Sequence, residues 1–116
     1  MKINATYITG IYNTDHSDWE VDESELEKAF AKCLQELRKY KNYSLKQVEK
    51  GTEIPFQTIA RYEKGENVPS ILQAYKLSYF YKLPMDIMFQ AGLIKDENRE
   101  DLFREYGVIP EDFDEE

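Results

Sequence analysis

Apolar side chains recur at Leu26, Phe30, Cys33, Leu34 and Leu37, and the stem of Lys41 continues the row one turn further on. That is the spacing of one face of an α-helix. Ser24 and Glu27 make a capping-box pattern at its start, which predicts a first and longest helix over 24–41. Asn42-Tyr43 breaks the pattern, and Ser44 can cap a second helix over 45–51 that buries Leu45 or Val48. Gly51-Thr52-Glu53 ends it. Pro55 suits the first position of a third helix, 55–63, because its missing amide hydrogen would have had no partner there. Ile54 ahead of it acts as a hydrophobic staple, and Ile59 and Tyr62 face inward. Gly65 and Pro69 stop that helix, and Ser70 lies at the start of a fourth over 70–81. In this fourth helix Ile71, Leu72, Ala74, Tyr75, Leu77 and Phe80 cover more than one face. Pro84 begins a fifth helix, 84–90, closed by Gly92, and a last helix is predicted over 96–106 before the acidic tail PEDFDEE.

Ahead of the first helix the pattern changes. Residues 3–12, INATYITGIY, alternate partly and are rich in Ile, Thr and Tyr, which predicts a short strand in need of a partner. DHSDWEVDE reads as a loop, with Trp19 and Val21 anchoring it on the domain. The protein is thus expected to be all-α, with a short N-terminal β segment. Three parts are expected: an acidic extension over 1–23, a helical domain over 24–92, and a C-terminal helix with acidic tail over 93–116.

Composition narrows the function classes. With 116 residues, 41% of them apolar and 33% charged, the sequence suits one small globular domain with elaborated ends. No apolar run approaches the roughly 20 residues of a spanning helix. MKINATYITG lacks the apolar core of a signal peptide, so a cytoplasmic location is expected and no membrane partner. The one cysteine, Cys33, falls on the apolar stripe and reads as a buried structural thiol. His16, the one histidine, sits among Asp15, Asp18 and Glu20 with no second His or Cys to complete a transition-metal site. No cofactor and no enzymatic activity are expected, since no nucleophile–base pair, phosphate loop or metal constellation is present.

The net charge of −8 conceals a segregation. Residues 1–27 carry −6 and residues 96–116 carry −8, whereas residues 28–64 carry +5 and residues 65–95 carry +1. A nucleic-acid backbone is bound by local clusters of cations and not by the net charge, so the basic centre remains competent to bind it.

Two short helices joined by a tight turn, with a glycine loop and an apolar helix pair after them, are what a helix-turn-helix reader requires. With Ile54, Ile59 and Tyr62 turned inward, Phe56, Gln57, Ala60 and Arg61 face outward from the third helix and can reach a groove.

The stretch from Ser44 to Ser70, and in particular Ile59-x-x-Tyr62-Glu63-x-Gly65-x-x-x-Pro69-Ser70, resembles the xenobiotic-response-element, or phage repressor and Cro, family of helix-turn-helix proteins. The resemblance covers roughly residues 30–90. It implies a five-helix repressor-like domain, a homodimer on an inverted repeat of double-stranded DNA, and a role in transcription. The family's base-reading positions fall on Phe56, Gln57 and Arg61, with Pro55 and Ala60 beside them. Gln57 would pair with adenine, Arg61 with guanine, and Phe56 would touch a thymine methyl. Phosphate contacts would come from Ser44, Lys46, Thr58, Lys64 and Asn67. Glu63 is structural in the family. Dimerisation, implied by the resemblance, would use the apolar excess of the last two domain helices, Tyr79, Tyr81, Met85, Ile87 and Phe89. The sequence departs from the family at Leu45, where Gln is frequent, at Glu49 and Glu53, where Ala and Gly are common, and at Thr52, which replaces a Leu.

Two readings of another class stand beside this one. On the same fold the protein could be an interaction module that binds a partner protein through Phe56 and its aromatic surface. It could also be an antitoxin whose acidic C-terminal tail contacts a toxin.

Overall fold

The computed structural model describes residues 1–4 and 20–110. His16, Trp19, residues 5–12 of the expected strand and residues 111–116 of the acidic tail lie outside the described residues. The described part of the expected strand is β1, Ile3–Asn4. Its partner is β2, Glu20–Val21, antiparallel with Ile3 opposite Val21 and Asn4 opposite Glu20. Glu20 and Val21, expected in a loop, are made strand by this ladder, and Val21 is fully buried.

Burial of Val21 fixes where the first helix begins. α1 runs over Glu23–Lys41, and its cap is Asp22, not Ser24. The Asp22 carboxylate accepts from the Glu25 amide, and the Glu25 carboxylate accepts from the Asp22 amide, both at 3.0 Å. This reciprocal box satisfies two amides that the helix itself cannot, and it places acids at the positive end of the helix dipole. α1 ends where Asn42 takes the left-handed conformation, φ 59°. α2, Leu45–Thr52, starts from the expected Ser44 cap, with Gln47 completing its box. α3 is Phe56–Lys64, and α4 is Ile71–Tyr81 with Ser70 capping the Gln73 amide.

α5 extends over Met85–Leu93, beyond the expected stop at Gly92. Gly92 lies inside this helix because α5 crosses α1 there at close range: a Cβ built on it would lie 1.8 Å from the Ala29 carbonyl oxygen. α6, Asp96–Glu105, follows. Its Arg99 is buried and closes the preceding helix, donating to the carbonyls of Ala91 at 2.7 Å and Ile94 at 3.2 Å. Those carbonyls have no partners within α5, so the guanidinium caps the helix C-terminus in place of backbone amides.

One apolar core unites the helices. Phe30, Cys33, Leu34 and Leu37 of α1 meet Val48, Ile59, Leu77 and Met88, and Leu102, Phe103 and Val108 join the same cluster. Tyr40 donates to the Val108 carbonyl at 3.0 Å, which fastens the segment after α6 to α1. Cys33 is fully buried, and that burial pushes its thiol far up, as expected for a structural cysteine. The architecture is all-α with six helices among the described residues and a minimal two-stranded sheet.

Candidate nucleic-acid interface

The turn between α2 and α3 is closed by hydrogen bonds that replace the family's usual residues. The buried Thr52 hydroxyl donates to the Val48 carbonyl at 2.8 Å and accepts from the Ile54 amide at 3.2 Å. A polar residue is thereby tolerated where an apolar one is common, because both its donor and its acceptor are satisfied. Glu53 takes φ 64°, the left-handed region, and its amide reaches the Glu49 carbonyl at 2.7 Å. Ile54, fully buried, then seats the start of α3.

α3 is oriented by an ion pair with α1. Arg38 donates from Nε and Nη2 to the two carboxylate oxygens of Glu63, at 2.7 and 2.9 Å, and from Nη1 to the Tyr43 carbonyl at 3.1 Å. The hydrogen bond from Arg38 to Glu63 raises the arginine above its usual pKa, so the guanidinium stays charged. Glu63 is buried and structural, as the resemblance implied. Nothing in the local sequence around Arg38 announces this partner, 25 residues away.

With its inner side fixed, α3 presents Gln57 and Arg61 to solvent, four residues apart on one face. Arg61 makes no ion pair among the described residues. Phe56, Thr58 and Ala60 are half-buried, while Lys64 and Asn67 are exposed at the end of α3 and in the loop beyond it. From α2, the Lys46 ammonium stands 4.5 Å from the centre of the Phe56 ring. The two helices therefore form one continuous outer surface in which a cation rests on an aromatic face. The Ser44 hydroxyl is engaged in capping, accepting from the Gln47 amide at 3.1 Å.

The residues expected at a dimer interface divide. Tyr79 is 67% exposed, but Tyr81 is only 3% exposed, stacked on Tyr43 and edge-on to Phe80, and burial pushes its phenol pKa up. Met85, Ile87 and Phe89 are half-buried against the core. Besides Met1, Tyr106 and Ile109 near the chain's ends, the large apolar side chains left in solvent belong to α4 and the loop before it: Val68, Ile71, Leu72 and Tyr75, with Tyr79. Their signal in the sequence is the apolar character of α4 on more than one face.

Among the described residues no helix is long and apolar enough to cross a membrane, and no group of three or more potential ligands is placed to hold a metal ion. Comparison with curated proteins and with solved structures returned no match. A helix-turn-helix family model matches residues 34–88, from the middle of α1 into α5. That family consists of DNA-binding regulators. Residues 34–88 are a helix-turn-helix domain of the xenobiotic-response-element, or phage repressor and Cro, family.

Proposed function

We propose that the protein is a sequence-specific transcriptional repressor of bacterial or phage origin, acting in the cytoplasm without catalytic activity of its own. Residues 24–92 form the reading domain, with 1–23 and 93–116 as extensions. α3 enters the major groove of an operator. Gln57, Arg61 and Phe56 meet base edges beside Ala60, and Lys46, Thr58, Lys64, Asn67 and the capped start of α2 at Ser44 lie along the phosphates. Two copies read an inverted repeat, and occupation of the operator blocks transcription.

The observation that supports this reading most is the pairing of a fixed inner side of α3 with a free outer one. Arg38 and the core hold Glu63, Ile59 and Tyr62, while the polar side chains of Gln57 and Arg61 are left to solvent on a helix anchored too firmly to need them.

The test is binding to duplex DNA from the protein's own upstream region across a salt series. Log affinity is expected to fall linearly with log salt, by about 0.9 for each phosphate engaged. Gln57→Ala with Arg61→Ala should weaken binding to the preferred sequence by at least about 30-fold, from about 1–3 kcal/mol per lost base contact. Lys46→Ala should weaken all sequences alike and flatten the salt slope. Absence of binding even at low salt, or binding indifferent to the double substitution, would refute the assignment of α3.

A further inference from the structure

Between the first half of α1, the loop over 65–69 and the first half of α5 the surface is hollowed into a groove of about 360 Å³. Its inner lining is aromatic and soft. Phe30 and Tyr62 are buried, the Phe89 ring stands 5.1 Å from that of Phe30, and Met85, whose flexible thioether adapts to an occupant, is half-buried beside them. Val68 and Ile71, 57% and 74% exposed, form its outer lining. The volume falls in the range of about 300–1,000 Å³ of small-molecule sites, which are likewise mostly apolar with a few placed polar groups.

Charge selects the occupant. Glu23 and Glu27, four residues apart on one face of α1, are the charged residues that line the groove, and among the described residues no lysine, arginine or histidine lines it to balance them. Both are exposed, and neither makes an ion pair among the described residues. The helix start does not employ them either, since its capping box is built from Asp22 and Glu25. Two uncommitted carboxylates therefore border an apolar hollow, in a stretch of chain, residues 1–27, that carries −6. Their field draws a cation in and turns an anion away.

We propose that this groove binds an amphipathic organic cation, an aryl or alkyl amine whose apolar body rests on Phe30, Phe89 and Met85 and whose ammonium faces Glu23 and Glu27. The aromatic rings add to the preference, because the face of a ring attracts an ammonium. The site does not depend on the DNA-reading proposal, although Tyr62 of α3 and the loop that bears Asn67 border it.

The experiment follows the amide resonances of the isotope-labelled full-length protein, without DNA, as naphthylmethylammonium is added, with naphthylmethanol as its neutral counterpart and naphthoate as its anionic one. The amine is expected to shift Leu26, Phe30, Val68 and Phe89 and to saturate with a dissociation constant of about 1 mM or below, as suits a ligand of this size. The alcohol should bind about fivefold more weakly, and naphthoate more weakly still. Glu23→Gln with Glu27→Gln should remove most of the amine's advantage and leave the alcohol's affinity unchanged, which shows the groove intact. Absence of saturable shifts at these residues, equal affinity for the three compounds, or a preference that the double substitution leaves whole overturns the inference. Shifts at the same amides that grow with protein concentration in the absence of amine would give the groove to a second copy. Amine binding gained only after residues 5–19 are replaced by a Gly-Ser linker would give it to a segment of the chain itself, and either result overturns the inference as well. A protein that binds the amine but no duplex DNA leaves the site standing and removes the regulator reading; one that reads an operator and ignores the amine does the reverse.

Discussion

Arg38 of α1 and Glu63 of α3 form a bidentate ion pair, and the same guanidinium donates to the Tyr43 carbonyl just ahead of α2. One arginine thereby fixes both helices of the helix-turn-helix to the scaffold. Glu63 is 6% exposed in this pair and Arg38 23%, so loss of the cation strands a carboxylate that water reaches poorly. Arg38→Met should cost about 2–4 kcal/mol, somewhat below the range for fully buried pairs. Arg38→Met with Glu63→Leu should recover much of that loss, because no orphaned charge remains. Urea unfolding of the single and double variants decides it; a single variant within about 0.5 kcal/mol of the parent would show an exposed pair of little worth.

Gly92 is demanded by the crossing of α1 and α5. The atoms that an added methyl would strike are backbone atoms of Ala29, which cannot rotate away. Gly92→Ala should therefore destabilise by about 2–3 kcal/mol or more as the helices separate. Gly65→Ala makes the contrast. Its φ of +77° is strained for alanine but nothing stands within 4 Å, so about 1 kcal/mol is expected. Equal losses in melting temperature for the two would argue against a tight crossing.

What can be read from the sequence, and what cannot, follows the same physics. Ser44, Ile54, Ile59, Tyr62 and Gly65 announce α2, the turn and α3, because capping, periodicity and a left-handed glycine are local properties. The start of α1 is harder to place because Asp22 and Ser24 are both good caps, and the choice falls to the tertiary burial of Val21. Gly92 reads as a stop from composition, since a glycine needed for close approach looks the same in one dimension. Tyr79 and Tyr81 are two residues apart on a helix whose apolar residues cover more than one face, so periodicity does not tell the exposed ring from the buried one. Arg99 escapes a sequence reading because its partners are backbone carbonyls, which leave no mark in the sequence.

Asp96 gives the fold an acid-sensitive joint. Its carboxylate accepts from Arg99 Nη1 at 2.7 Å, and that hydrogen bond holds its pKa below the usual 3.8. A group whose pKa is lowered by folding stabilises the fold at pH values above its unfolded value, and that contribution disappears as pH falls through the folded one. Asp96→Asn should thus be less stable than the parent at neutral pH, and the gap should close below pH 3.8. Urea midpoints from pH 2 to 7 would show it. Parallel curves over that whole range would mean the carboxylate contributes nothing through its charge.

Glu53 joins two effects that substitution can separate. It holds φ 64° in the turn between α2 and α3, where any residue but glycine is strained, and it places a carboxylate next to the surface proposed to face phosphates. Glu53→Gly removes both. The relief of about 1–2 kcal/mol is partly offset by a freer unfolded state, leaving a net gain of about 0.5 kcal/mol. Glu53→Gln removes the charge and keeps the strain. If α3 reads DNA, both variants should bind duplex DNA several-fold more tightly at low salt, with the advantage fading near 1 M salt, where screening shortens to about 3 Å. Only the glycine variant should also melt higher. A gain in stability without a gain in affinity would place the DNA away from this turn, and so away from the start of α3.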